Sequence, residues 1–411
     1  MSNLFLPPEI LDRIVALLHA EPGALRECSL VSKSWVPRIR KHLFADVRFH
    51  HSRDLESWEE TFPDPTESPA RYAETLFIGC PHAITTADAE AGGWIRGFSR
   101  VTRLEVDSQR MYICLNESTT SLVALHGFSP NVKSLALQFS DLPSSRIIDL
   151  VLSFPLLEDL AVGFHFDTSI GGGGDGIDEL SSATYPPSLP VFTGSLELTY
   201  AGLSPIVLQL LSLPSGIHFQ KLILTWFREE DALLATRLVE SCAHTLDSLD
   251  VTCSMSIMRW NSAGCSLPIL VTSGSTSVDL SKATRLREAV FRPTSLVVEW
   301  VAMTLKTITH NHRNLQQVSI HVPDEPYDPG LDSGEPAQVR FTVREDVCEQ
   351  WLELDRLLAR LLESHSIRLK IQHYTRPEER EEQSSWMDAL LPEVTRRGIV
   401  DLVRRDSRFK K

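Results

Sequence analysis

A chain of 411 residues, 42% hydrophobic and 23% charged, has globular composition and length for one large domain or two to three ordinary ones. Its formal net charge of −14 argues against a general binder of phosphate backbones. No apolar run approaches the roughly 18 residues of a membrane span, and residues 1–5 lack the basic character of a secretory leader, so neither membrane insertion nor export is expected.

The first fifty residues run against the acidic trend, with seven Lys and Arg against five Asp and Glu. Pro7 and Pro8 fix φ, which suits Pro8 to a first helical position. Glu9 and Asp12 place negative charge in the first turn, where the helix dipole favours it. Ile10, Leu11, Ile14, Leu17 and Leu18 recur at three- and four-residue spacing, which predicts one apolar stripe. Pro22-Gly23 ends this helix, and a second is predicted from about Ala24 to Val31. Ser32 is the expected cap of a third, turning Trp35, Ile39 and Leu43 inward and Lys33, Arg38, Arg40 and Lys41 outward. Three helices this short build only a marginal core, so part of this apolar surface is expected to face a partner.

The pattern from Leu6 through Pro7-Pro8-Glu9-Ile10-Leu11, then Ser29-Leu30-Val31-Ser32-Lys33-Ser34-Trp35 and a closing Leu43-Phe44, resembles an F-box. The likeness covers roughly residues 4–48 and defines an N-terminal segment, 1–48. Gly23-Ala24-Leu25 stands where the family often has an acid followed by Leu, and Ser32 where it often has Cys. The resemblance implies docking on the Skp-type adaptor of an SCF ubiquitin ligase, and through it on the cullin. It puts Leu6, Pro7, Ile10, Leu11, Ile14, Leu30, Val31 and Trp35 in that interface or in the small core behind it.

Residues 49–72 read as a polar, proline-containing linker, with Asp46-Val47-Arg48-Phe49 as a short strand before it. Trp58 and Phe62 are expected to tuck against a neighbour. From residue 73 an apolar-x-x-apolar-x-apolar unit recurs about every 25–40 residues, with a longer gap before the last. Clear copies are Val101, Leu104, Val106; Val132, Leu135, Leu137; Leu157, Leu160, Val162; Phe219, Leu222, Leu224; Leu246, Leu249, Val251; and Leu315, Val318, Ile320. Weaker ones are Ala73, Leu76, Ile78; Thr193, Leu196, Leu198; Leu286, Ala289, Phe291; and Ser366, Leu369, Ile371.

The last two apolar positions of each unit are two apart and share one strand face. Helix-like runs separate the units: 147–152, 204–211 with Ser204 as cap and Pro205 following, 229–242, 296–308 and 351–362. Parallel neighbours need such crossovers. Many in series stack as a solenoid.

The repeat resembles a degenerate leucine-rich repeat over about 73–375, without the Asn or Cys that normally follows the strand. The expected fold is therefore α/β: a three-helix N-terminal box, then an irregular leucine-rich-repeat-like β-α solenoid with a curved parallel sheet inside and helices outside. Gly- and Pro-rich insertions interrupt it at 164–192, 254–277 and 323–338. A charged segment and a helix over about 386–404 close the chain in 376–411 and are expected to cap the solenoid's end.

No catalytic set emerges. The glycine run 171–176 lacks a following Lys-Ser/Thr, and there is no G-x-S-x-G, H-E-x-x-H or Cys/His cluster. His310-Asn311-His312 fits a helix C-terminus better than a metal pair. Seven cysteines at wide spacing without C-x-x-C suit reduced thiols in the cytoplasm or nucleus. No catalytic residue, metal or cofactor is assigned, and no nucleic acid partner is expected.

Box and repeats together resemble a substrate receptor that holds a target protein near a charged ubiquitin carrier. Two other readings stand beside it: an adaptor-binding subunit working outside ubiquitin transfer, and an enzyme or activator on a repeat scaffold. The outward strand positions form the candidate target surface, with Glu288, Arg292, Arg368 and Lys370 the leading residues.

Overall fold

The computed structural model describes residues 7–18, 21–89, 93–107, 124–128, 130–139, 144–164, 190–199, 204–226, 229–253, 277–293, 298–322, 345–373 and 389–397. Leu6, the insertion 323–338 and all but the ends of the other two insertions lie outside them. The chain divides into two compact units, Met1–Val191 and Phe192–Lys411, so the N-terminal box shares a unit with the first repeats.

The first unit begins with α1 (Pro8–Leu17), α2 (Pro22–Val31) and α3 (Val36–Leu43). Proline occupies the first turn of all three, where its missing N–H breaks no helical bond. Ser32 does not cap α3: it ends α2 in extended conformation, and its hydroxyl accepts the Ser34 N–H at 3.3 Å in the turn between them.

Five parallel strands follow in sequence order: β1 (Asp46–Phe49), β2 (Thr75–Ile78), β3 (Arg103–Asp107), β4 (Ser134–Phe139) and β5 (Asp159–Phe164). The second unit holds six more: β6 (Ser195–Thr199), β7 (Lys221–Trp226), β8 (Ser248–Cys253), β9 (Glu288–Pro293), β10 (Gln317–Val322) and β11 (Arg368–His373). All ten sequence units are strands. An eleventh copy, Phe44, Val47, Phe49, starts inside the box segment and makes β1.

Register follows the pattern. Leu76, Leu104, Leu135 and Leu160 align across β2–β5, and Leu196, Leu222, Leu249, Ala289, Val318 and Leu369 across β6–β11. Every one of them is buried. In the weaker copies Thr193 and Ser366 are exposed, and beside β6 it is Phe192 that is buried, its ring 5.2 Å from that of Phe219.

A backbone ladder holds the repeats level. The carbonyl just before one strand accepts two successive N–H groups from the next repeat: Glu74 O from Thr102 and Arg103, Asp247 O from Arg287 and Glu288. Side chains add to this ladder. Asn131 donates to Ser99 O at 2.6 Å, Asn314 to Thr284 O at 3.2 Å and Thr245 to Phe219 O at 3.0 Å. Each bond ties a loop carbonyl of one repeat to a side chain of the next.

Helices fill the connections. In the first unit these are α4 (Ser52–Thr61), the short α5 (Thr86–Ala89) and α6 (Ser144–Leu152). In the second they are α7 (Ser204–Leu211), α8 (Glu229–Ser241), α9 (Glu299–Lys306) and α10 (Glu345–Ser364). Ser204 is thus the first residue of α7 rather than the residue before it.

The linker reading of 49–72 is corrected by α4. Asp54 accepts the N–H groups of His50 at 2.8 Å and His51 at 3.0 Å, which satisfies donors at the helix start. Trp58 then lies within ring contact of Phe44, Phe49, Phe62 and Phe98 at 6.1, 5.6, 4.9 and 5.6 Å. The box is therefore bolted to the first repeats by aromatic packing.

A final short helix, α11, covers Pro392–Arg396. A continuous helix over 386–404 is corrected by Pro392, which cannot donate to a preceding turn and begins a helix of its own; Trp386, Met387, Ile399 and Leu402 lie outside the described residues.

Candidate functional site

The box carries two apolar stripes where the spacing predicts one. Leu11 and Val15 of α1 are buried and Leu18 partly so, at i, i+4 and i+7. Val15 forms the core with Leu25 and Ile39, against which Leu18, Cys28, Trp35 and Leu43 pack. Ile10, Ile14 and Leu17 repeat the same spacing one residue earlier, on the side turned away from that core, with Ile14 intermediate in exposure. Ile10 is 45% exposed and Leu17 76%, while at the end of α2 Leu30 is 86% and Val31 71% exposed. Large side chains this exposed are surplus to the box's own packing. Arg38 of α3 donates to Asp12 of α1 at 2.6 Å and braces the helices at their polar side.

The predicted docking set thus sorts by burial. Ile10, Leu30 and Val31 are exposed, as is Pro7 at the start of α1; Leu11 is buried and Trp35 partly so, which places them behind the surface. Leu17 belongs to the exposed stripe and was not in the predicted set. The signal for it was present: apolar residues at 10, 11, 14, 15, 17 and 18 are too many for one face.

The second surface is the outward face of the sheet in the second unit. Arg292 grips Asp250 with two bonds of 2.8 Å, from Nε to Oδ1 and from Nη2 to Oδ2. Its Nη1 donates to His321 Nδ1 at 3.0 Å, so the neutral ring carries its proton on Nε2. Gln317 donates to Glu288 at 2.7 Å and to Ser319 at 3.1 Å. The predicted residues Glu288 and Arg292 are therefore engaged within the face. Arg368 and Lys370 lie beside Gln317 and Ser319 on β11, Arg368 exposed and Lys370 half-buried.

No protein-family model matches the chain, and no curated protein is significantly similar to it in sequence. Among the described residues no group of three or more His, Cys, Asp or Glu is placed to hold a metal ion, and no helix is long and apolar enough to cross a membrane.

His312, one of the two histidines considered as a metal pair, is fully buried. Its Nε2 meets Leu280 O at 2.9 Å and must donate there, and Nδ1 accepts the Thr309 N–H at 3.0 Å. Both ring nitrogens are thus occupied in joining two connections. Cys28, Cys80 and Cys242 are free thiols. Burial pushes Cys80 up to about 11 and Cys242 up to about 12, which leaves both protonated and unreactive near neutrality.

Proposed function

We propose that the chain is an F-box protein with degenerate leucine-rich repeats, acting as the substrate-recognition subunit of an SCF-type ubiquitin ligase. The box docks on a Skp-type adaptor, the repeats form a solenoid that takes a target protein on its outward strand face, and the chain itself catalyses nothing. Its contribution to rate is proximity, the holding of target lysines near a charged ubiquitin carrier. Its place of action is the cytoplasm or nucleus.

One observation carries the docking reading: a second apolar stripe on α1, and Leu30 and Val31 at the end of α2, lie uncovered on a box too small to need them. An adaptor groove that buries four such side chains supplies the missing partner, because anchors of this kind dominate binding energy. The firm seating of the box on the first repeats through Trp58 fits a receptor that must present its cargo at a set place.

The test is capture of a purified Skp-type adaptor by the full chain carrying Leu17→Asp, Leu30→Asp and Val31→Asp. These side chains are exposed, so folding stability changes little while capture falls by about 100-fold or more. Undiminished capture by a folded variant ends the docking assignment.

A further inference from the structure

We infer that the target's docking element is an extended acidic segment that lies along β11, held by Arg368 and Lys370. This rests on the reading of the second unit's strand face as the target surface. The charges on that face are unequally spent. Asp250 is consumed by Arg292, and Glu288 is engaged by Gln317. Strand β10, the only described neighbour of β11, presents Gln317, Ser319 and His321 on the same side and no carboxylate.

Arg368 and Lys370 form no ion pair with another described residue. The nearest acids in register with them are Glu288, two strands away, and Asp250, three strands away, or about 10 and 14 Å at the usual strand spacing. At those separations screening by salt leaves little attraction. Two cations are thus held two residues apart on one face, over a neutral floor, in a chain whose net charge is −14.

Their spacing matches alternate side chains of an extended peptide, about 7 Å apart. The β11 edge away from β10 has no strand partner among the described residues, so an extended segment also finds main-chain donors and acceptors there. The acid-poor end of the face selects carboxylates. Glu197, at the β6 end, repels them and sets the direction of the gradient.

The experiment measures anisotropy of a fluorescein-labelled peptide of about twelve residues alternating Glu and Ser. Matched peptides carry Gln or Lys in place of Glu, and an oligothymidylate of equal charge competes. The acidic peptide is expected to bind the full chain, to weaken as salt rises above about 0.15 M, and to lose about tenfold or more in affinity in the Arg368→Glu, Lys370→Glu variant. Arg53→Glu, Arg237→Glu makes the same change in net charge at exposed helix positions and is expected to leave binding intact.

Equal loss in both double variants, equal binding of the Gln peptide, full displacement by the oligothymidylate, or no binding at millimolar peptide each overturns the inference. So does tighter binding after Glu378, Glu379, Glu381 and Glu382 are changed to Gln, since that assigns the surface to the chain's own acidic run. Adaptor capture is read in the same samples. Its loss with peptide binding intact counts against the ligase reading and not against this surface.

Discussion

Replacing Trp58 with Ala tests whether the box and the repeats form one folded body. Trp58 is half-buried and touches four rings: Phe44 after α3, Phe49 on β1, Phe62 after α4 and Phe98 before β3. Truncating a buried Trp costs about 3–5 kcal/mol, and partial exposure puts this site near the lower end, at about 3 kcal/mol. Trp58→Phe keeps a ring in place and is expected to cost about 1 kcal/mol. In a cycle with Phe98→Ala, the pair should show a coupling of about 0.5–1.5 kcal/mol. Urea denaturation reads the totals. Hydrogen exchange reads the site, with protection lost in 46–49 and 52–61. A solvated linker would give a Trp58→Ala change within about 0.5 kcal/mol and no change in exchange; that result refutes the aromatic mount.

Two further outcomes are expected. Asp355 is buried on α10 and accepts the N–H groups of Glu393 at 2.9 Å and Val394 at 3.0 Å, capping α11 from another helix. Asp355→Ala should cost about 2 kcal/mol and speed exchange at those two amides by up to about 30-fold; unchanged exchange would remove the cap. Alkylation of the native protein at pH 8 should spare Cys80 and Cys242, whose thiols burial holds at about 11 and about 12, and should modify both once the chain is denatured without reductant. A disulfide in freshly isolated protein would contradict the reducing compartment expected from the cysteine spacing.

The strands were legible because most inward pairs, such as Leu104 and Val106, are bracketed by side chains that tolerate water. The strand at Asp46–Phe49 was also legible, but its place in the repeat, with Phe44, Val47 and Phe49, was not, because the copy begins within the box segment. Helix α4 was hidden by its composition: half of its residues are charged, and only Leu55 is buried, so periodicity gave little to find. Pro63, Pro65 and Pro69 nearby also read as loop. Ser32 has the chemistry of a cap but stands four residues before α3, too far to serve its first turn. The apolar residues of the box were legible as a group. Which of them face outward was not, because Ile10 and Leu11 differ only by one step of helical rotation.

The outward strand positions were legible by alternation alone. Arg292 and Arg368 look alike in sequence, and only the register that brings Asp250 beside Arg292 spends the first and leaves the second. The division of labour among Asn131, Asn314 and Thr245 was invisible for the same reason: each bond joins residues 26 to 32 positions apart.

The docking claim is tested most directly by a hydrogen-exchange footprint of the full chain with and without a purified Skp-type adaptor. Slowed exchange confined to α1 and α2, strongest around Ile10 to Leu17 and at Leu30 and Val31, with β6 to β11 unchanged, is the expected result. Protection that appears on the strands instead, or no protection at saturating adaptor, contradicts it.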